Sequence, residues 1–345
     1  MTRSSLILSI VCATSLAFAA ETPNEEPYQT VVKVNKSKET LLESTRSIEN
    51  KNSEDLLEEQ PSSLPDALRQ SAGVHLQETN RGSGAPIIRG FIGPQNGIRI
   101  DGIRFNTSTF RTGPNQYLAL NSPYALSRVE ILRGPSSVLY GNGAMGGIIQ
   151  LFTTDFTQSE LRKIAVSHQS ADNGGGVHAL FSEDLGNLSY VGSIGGQLHG
   201  ILRSGANNYQ AHSSYEKGNW LGKARYQIND TWDITTAYLG TTLQNAGRTD
   251  KLGSGDIRFY SNDDHLAYIR SHHRFNGVLK EIEATLFFHR LDETVHRYSC
   301  STTTLNDTTT VSNLSGCVEL DKGEVTKERI YEDNVDSAGG QLDSR

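Results

Sequence analysis

Gly141-Asn142-Gly143-Ala144-Met145-Gly146 fits G-x-G-x-x-G, the glycine loop that holds a dinucleotide pyrophosphate against a helix N-terminus. That chemistry needs a helix directly after the loop. Here Ile148 to Phe152 follows, a β-prone run, and Gly134-Pro135 breaks the segment before it. The loop therefore reads as a crowded bend between two strands. The chain's 10 histidines include no H-E-x-x-H and no other tight ligand spacing, so no metal site is indicated. No G-x-S-x-G nucleophile elbow occurs either. The sequence thus offers no catalytic residues, no resident cofactor and no enzyme.

The elements around that loop are more telling. Arg128 to Thr153 reads as a strand (Val129, Ile131, Leu132), a Gly-Pro break, one turn of helix behind Ser136-Ser137, the glycine cluster and a second apolar strand. Upstream, Ile87 to Phe105 carries Arg89-Gly90-Phe91 and then the run ending in Ile100-Asp101-Gly102. Leu64 to Val74 reads as a helix, with Ser63-Leu64-Pro65-Asp66 as its capped start and Gly73 as its stop. Together these three motifs, in this order and spacing, resemble the plug domain of TonB-dependent outer-membrane receptors. Ala72 departs from the pattern, since proline is usual there.

Composition sets outer bounds. A formal charge of −7 over 345 residues leaves no electrostatic footprint for nucleic acid. Mean hydropathy is −0.45 and no run of apolar residues is long enough for a spanning helix, a test that is blind to β-barrels. Met1 to Ala19 reads as a secretory signal peptide: Arg3 supplies the charged start, Leu6 to Phe18 the apolar stretch, and Ala17-Phe18-Ala19 the cleavage rule.

The resemblance implies a mainly β chain. An α+β plug domain over 40–155 would be followed, over 160–345, by the first antiparallel strands of an incomplete transmembrane β-barrel. Residues 20–39 form a polar N-terminus, in which Thr30, Val31, Val32, Lys33 and Val34 make the candidate TonB box. Such a box pairs as an added strand with TonB, the periplasmic energy-coupling protein. The family further implies a plug–barrel lock at Arg89 and Arg133, with partner glutamates expected on strands beyond Arg345. Two plug loops are candidates for ligand contact, through Phe91 and Gln95 in one and Arg111, Gln116 and Tyr117 in the other. The implied ligand is a ferric siderophore or haem, with cobalamin as the alternative, and the implied location is the bacterial outer membrane. A passive adhesin or porin-like barrel is the rival reading, since neither needs a plug or a TonB box.

From Glu160 the pattern changes to period two. Trp220, Gly222, Ala224, Tyr226 and Ile228 share one face, and Leu221, Lys223, Arg225 and Gln227 the other. Ile282, Ala284, Leu286 and Phe288 repeat this against Glu281, Glu283, Thr285 and His289. An apolar row toward lipid and a polar row toward the lumen is the signature of a membrane barrel. Strands are expected near 162–171, 176–184, 187–202, 218–228, 232–246, 264–274 and 279–298, seven or eight in all. The short turns, Asp184 to Asn187, Asn229 to Trp232 and Phe275 to Val278, would face the periplasm. Trp220, Trp232, Tyr190 and Tyr268 suit aromatic girdles, and His272-His273 reads as one lumen-facing and one outward residue.

After cleavage two of the three cysteines remain, Cys300 and Cys317, and an even count in an exported chain favours one disulfide in a long outer loop. Closing a loop of about 17 residues contributes roughly 3 kcal/mol in the chain-entropy view. A peptide map of the unreduced, exported protein is expected to show the Cys300 and Cys317 peptides joined. Two free thiols would refute the pairing.

Overall fold

The computed structural model describes residues 31–32, 39–40, 47–58, 60–107, 117–156, 160–203, 209–250, 256–300 and 325–344. The signal peptide, Thr30, Lys33, Val34, Arg111, Gln116 and the Cys300–Cys317 pairing lie outside the described residues.

The N-terminal unit begins with a two-residue strand pair, β1 (Val31–Val32) and β2 (Glu39–Thr40), followed by β3 (Ser47–Asn52). Asn52 closes that strand by capping helix α1 (Ser53–Leu57), with Asp55 returning a bond to the Asn52 amide. Helix α2 spans only Leu64–Ala67, with Pro65 in its first turn and Ser63 as its cap. The sequence places the helix stop at Gly73. The α-helical part ends earlier because Leu68 bonds back to both Leu64 and Pro65, which tightens the turn. Gly73, at φ +67°, then makes the reversal into β4 (Val74–Gln77), which pairs with β5 (Ala85–Ile88).

The unit's main sheet adds β6 (Asn96–Ile100), β7 (Ile103–Arg104), β8 (Leu126–Arg133) and β9 (Gly147–Thr153) in the order β3-β8-β9-β6-β7. Only β6 and β9 run parallel. Between β8 and β9 stand helix α3 (Ser137–Tyr140) and the glycine loop. That loop is shaped by close approach. A Cβ on Gly146 would fall 2.3 Å from Asn96 Oδ1, and one on Gly147 would fall 2.4 Å from the Leu132 carbonyl. The loop is fixed to the turn before β6, where the Gln95 carbonyl accepts from the Met145 amide at 2.9 Å.

The rest of the chain is one antiparallel sheet of eight strands, in which each strand pairs with the next in chain order: β10 (Leu161–Gln169), β11 (Gly174–Asp184), β12 (Leu188–His199), β15 (Tyr215–Asn229), β16 (Trp232–Arg248), β17 (Asp256–Arg274), β18 (Glu281–Cys300) and β19 (Val325–Ser344). A small hairpin, β13 (Leu202–Arg203) with β14 (Tyr209–Gln210), interrupts the β12–β15 connection. The last three strands are 19 to 20 residues long, so β17 begins well before the expected 264. Its first residues, Asp256 to Asp263, alternate polar and apolar only weakly, which hides them from a periodicity test.

Hydrophobic burial ties the two parts together. The largest fully buried side chains, among them Phe105, Leu64, Ile98, Leu118, Ile131 and Ile149, all belong to the N-terminal unit. The sheet contributes to the same core only through inward positions such as Tyr215, Leu243, Tyr260, Leu266 and Leu291. Its other face is apolar and open: Ile164, Val166, Ile194, Leu198 and Leu286 are each more than 60% exposed.

Because Gly147 meets main chain rather than a flexible side chain, Gly147→Val forces the β8–β9 pairing apart. The expected cost is about 1–3 kcal/mol. Limited proteolysis of the folded protein should show faster cleavage between 126 and 153 than in the wild type.

Candidate functional site

The N-terminal unit meets the inner face of the large sheet through two polar junctions. The first centres on Asp101, at the tight turn after β6. The turn puts Asp101 at φ +48° and Gly102 at φ +86°. Aspartate tolerates that left-handed backbone better than most residues, and glycine tolerates it freely. The Asp101 carboxylate is buried and accepts four donors or charges from three strands. Thr153 gives its amide at 2.9 Å and its hydroxyl at 2.6 Å, from β9. Tyr268 gives its hydroxyl at 2.9 Å from β17, and Lys223 of β15 stands 4.0 Å away. Arg270 also donates to the Asp101 carbonyl.

Burial pushes the Asp101 carboxyl up, but Lys223, the Thr153 bonds and Arg270 outweigh it, so the group sits below its ordinary range. Its charged form is the one the interface is built for. Lys223 also donates to the Thr153 hydroxyl at 3.2 Å, which closes the ring between unit and wall.

Around this point lies a cavity of about 510 Å³, bounded by Arg99, Arg225, Asp233, Arg270, His272 and Glu283 among others. It opens beside the short turns of the sheet, which comprise 185–187, 230–231 and 275–280. His272 spans two acids, with Nδ1 3.3 Å from Asp233 and Nε2 3.2 Å from Glu281, so it faces inward while His273 packs outward against Phe275. Tyr268 corrects an expectation: it is not a girdle residue. It shares parity with Arg270 and His272, so the two-residue period turns it to the lumen, where it is 5% exposed.

A second polar junction holds the other end. Arg81 donates to Asp172 at 2.6 Å from the loop after β4. Asp172, in the β10–β11 turn, is fully buried and also accepts from the Gly174 amide at 2.9 Å and meets His199 Nδ1 at 2.8 Å. His199 in turn stacks on Tyr215 at 4.5 Å. Nearby, Lys217 extends from β15 to the carbonyls of Ala119 and Asn121. Sequence reasoning missed Arg81, Asp172 and Lys217. Nothing local signals a pair 91 positions apart, although an arginine between Asn80 and Gly82 at a loop tip was a visible oddity.

The predicted lock residues sit apart from both junctions. Arg133 pairs with Glu49 of the unit's own β3 and lies over Gly73. Arg89 is exposed at φ +51°, with its guanidinium over Gly134. Among the ligand-contact candidates, Gln95 is exposed and Phe91 is half-buried beside Gly146. Tyr117 is not presented at an apex. It is 5% exposed, bridges to Gly84 and belongs to the core.

Comparison with known proteins agrees with this architecture. Residues 40–148 match the family model of the TonB-dependent Receptor Plug Domain. The chain is 28% identical to the hemin receptor of Yersinia pestis over 49% of this chain and 25% of that protein. It is 32% identical to the vitamin B12 transporter BtuB of Vibrio vulnificus over 38% of this chain and 21% of that protein. The chain thus spans about a quarter of the length of these relatives. Among solved structures, the copper transporter OprC superposes with a TM-score of 0.67 at 16% identity, covering 86% of this chain and 43% of that one. The FrpB iron transporter of Neisseria meningitidis gives 0.62 at 14% identity, over 86% and 46%. Residues 40–148 thus carry the plug domain of TonB-dependent receptors, and the fold as a whole is that of such a plug set against part of a barrel wall.

Asp101→Ala leaves Lys223 and Tyr268 facing a void and is expected to cost about 3 kcal/mol or more. Amide exchange over 96–104 and 147–153 should then rise more than a hundredfold. The sign of the pH effect follows from the depressed carboxyl. Its contribution is complete above the unfolded value of roughly 3.9 and is lost as pH falls through the lower folded value. Wild-type exchange should therefore climb below pH 4, while Asp101→Ala shows a flatter acid limb. Parallel acid limbs would remove Asp101 from that role.

Proposed function

We propose that this chain serves TonB-dependent import of a bulky, scarce nutrient, a ferric siderophore or haem, across the bacterial outer membrane. The observation that carries this reading is a plug seated on the barrel wall through two buried polar junctions, at Asp101 and at Asp172. Charged and hydrogen-bonded contacts hold geometry strictly yet can be traded for water when the plug moves. A passive porin-like barrel or an adhesin gains nothing from such a seat. Haem stands beside the siderophores because the hemin receptor of Yersinia pestis is among the relatives, and the vitamin B12 transporter keeps cobalamin as the alternative.

Coupling to TonB is assigned to the segment at Val31–Val32. β1 pairs with β2 over two positions only, Val31 with Thr40 and Val32 with Glu39. A strand this short is readily exchanged for, or extended by, a partner strand. Proline at Val32 removes a ladder donor and blocks strand addition. In the full-length receptor, Val32→Pro is expected to abolish energised uptake of its nutrient, screened among haemin, a ferric hydroxamate and cyanocobalamin. Binding of the same ligand to whole cells should stay at the wild-type level. Wild-type uptake by this variant, or uptake that persists without TonB, would overturn the reading.

A further inference from the structure

The plug segment 118–124 crosses the inner face of the wall sheet at a place where polar side chains are buried without partners. Asn121 gives its carbonyl to Lys217 of β15 at 3.2 Å, and the Ala119 carbonyl accepts from the same nitrogen. Further along, Tyr124 stacks on the His178 ring of β11, with ring centroids 3.9 Å apart. Ser122 lies between these two contacts and is 6% exposed, yet its hydroxyl has no hydrogen-bond partner among the described residues.

On the wall side, His178 and Asn219 are each 4% exposed and Lys217 is 5% exposed. Both ring nitrogens of His178 and both amide atoms of Asn219 are unpartnered among the described residues. The register brings them together. Gly195 pairs with His178 on one side and with Asn219 on the other. A Cβ on Gly195 would fall 1.9 Å from His178 Nδ1, so the imidazole lies across the bare glycine toward Asn219. Lys217 stands two positions along β15 from Asn219, on the same inward face.

Lys217 differs from the other buried charges between plug and wall. Arg81 has Asp172 and Asp101 has Lys223, but no carboxylate of the described residues stands within ion-pair distance of Lys217. A buried ammonium that faces only carbonyls is costly without a counter-charge. The ammonium, the Asn219 amide, one ring nitrogen of His178 and the Ser122 hydroxyl all offer protons. Such a set answers a singly charged partner that only accepts. Burial of all four side chains leaves no room for an anion with a bulky organic part.

We propose that Lys217, Asn219, His178 and Ser122 hold one monovalent inorganic anion of chloride's size between plug and wall, completing Lys217 as Asp172 completes Arg81. The site needs only the plug–wall contact described above and is indifferent to which nutrient is carried.

The test uses the full-length protein in chloride, bromide or gluconate at matched ionic strength. Crystals grown in bromide are expected to show an anomalous bromine peak within hydrogen-bond distance of Lys217 Nζ. Amide exchange over 118–124 should slow about tenfold on moving from gluconate to saturating chloride. Lys217→Met removes the charge and keeps the stem, so the peak and the halide response should both vanish. Lys280→Met, at an exposed turn, should keep the wild-type response. Asn219→Asp supplies the acid in place of the ion. Its exchange in gluconate should match wild type in chloride and ignore halide, which keeps the proposal testable if the methionine variant misfolds. Water alone at the site in bromide crystals would overturn the proposal. So would a wild-type halide response in Lys217→Met or in Asn219→Asp.

Discussion

A curved sheet of eight strands has an inner face that must be covered by something, and here the plug covers it. The barrel wall has no core of its own. Its inward apolar side chains, from Tyr215 to Val295, are buried in one cluster with Phe105, Leu118, Leu120 and the apolar residues of β6 and β9. The outward face must remain apolar for lipid, so the two faces of each strand carry opposite demands. Period-two alternation is the single pattern that satisfies both.

Polar groups decide where the plug sits within that constraint. Aspartate buried between two elements is costly unless each oxygen is answered. Asp101 is answered by Thr153 from the plug and by Tyr268 and Lys223 from the wall. Asp172 is answered by Arg81 from the plug and by His199 and Gly174 from the wall. The first junction lies by the short turns and the second by the β10–β11 turn, so the plug is held near both ends of the wall. Apolar packing alone would leave it free to slide between the two.

The glycine loop shows the same economy on a smaller scale. Its pattern mimics a nucleotide fingerprint, yet Gly146 and Gly147 are there because Asn96, Phe91 and the Leu132 carbonyl occupy the space of a side chain. On the outer face the same rule holds at Gly192 and Gly240, where the rings of their cross-strand partners Phe181 and Trp220 occupy the space of a side chain.

Much of this was legible in the sequence alone. Strand alternation in residues such as Trp220 to Ile228 is local, so the wall, its facing and its short turns could be read directly. The plug motifs could be read because close approach and tight turns demand glycine at fixed offsets from apolar runs. Local signals failed where the partner is distant. Nothing near Arg81 names Asp172, nothing near Asp101 names Tyr268, and Arg133 gave no hint of Glu49. Tyr117 and Tyr268 were both read as surface aromatics, and both are buried. An aromatic ring suits a membrane girdle, a ligand apex and a core equally well by type. Only tertiary structure decides among these, because the choice depends on which surface the strand's parity happens to face and on what lies across from it.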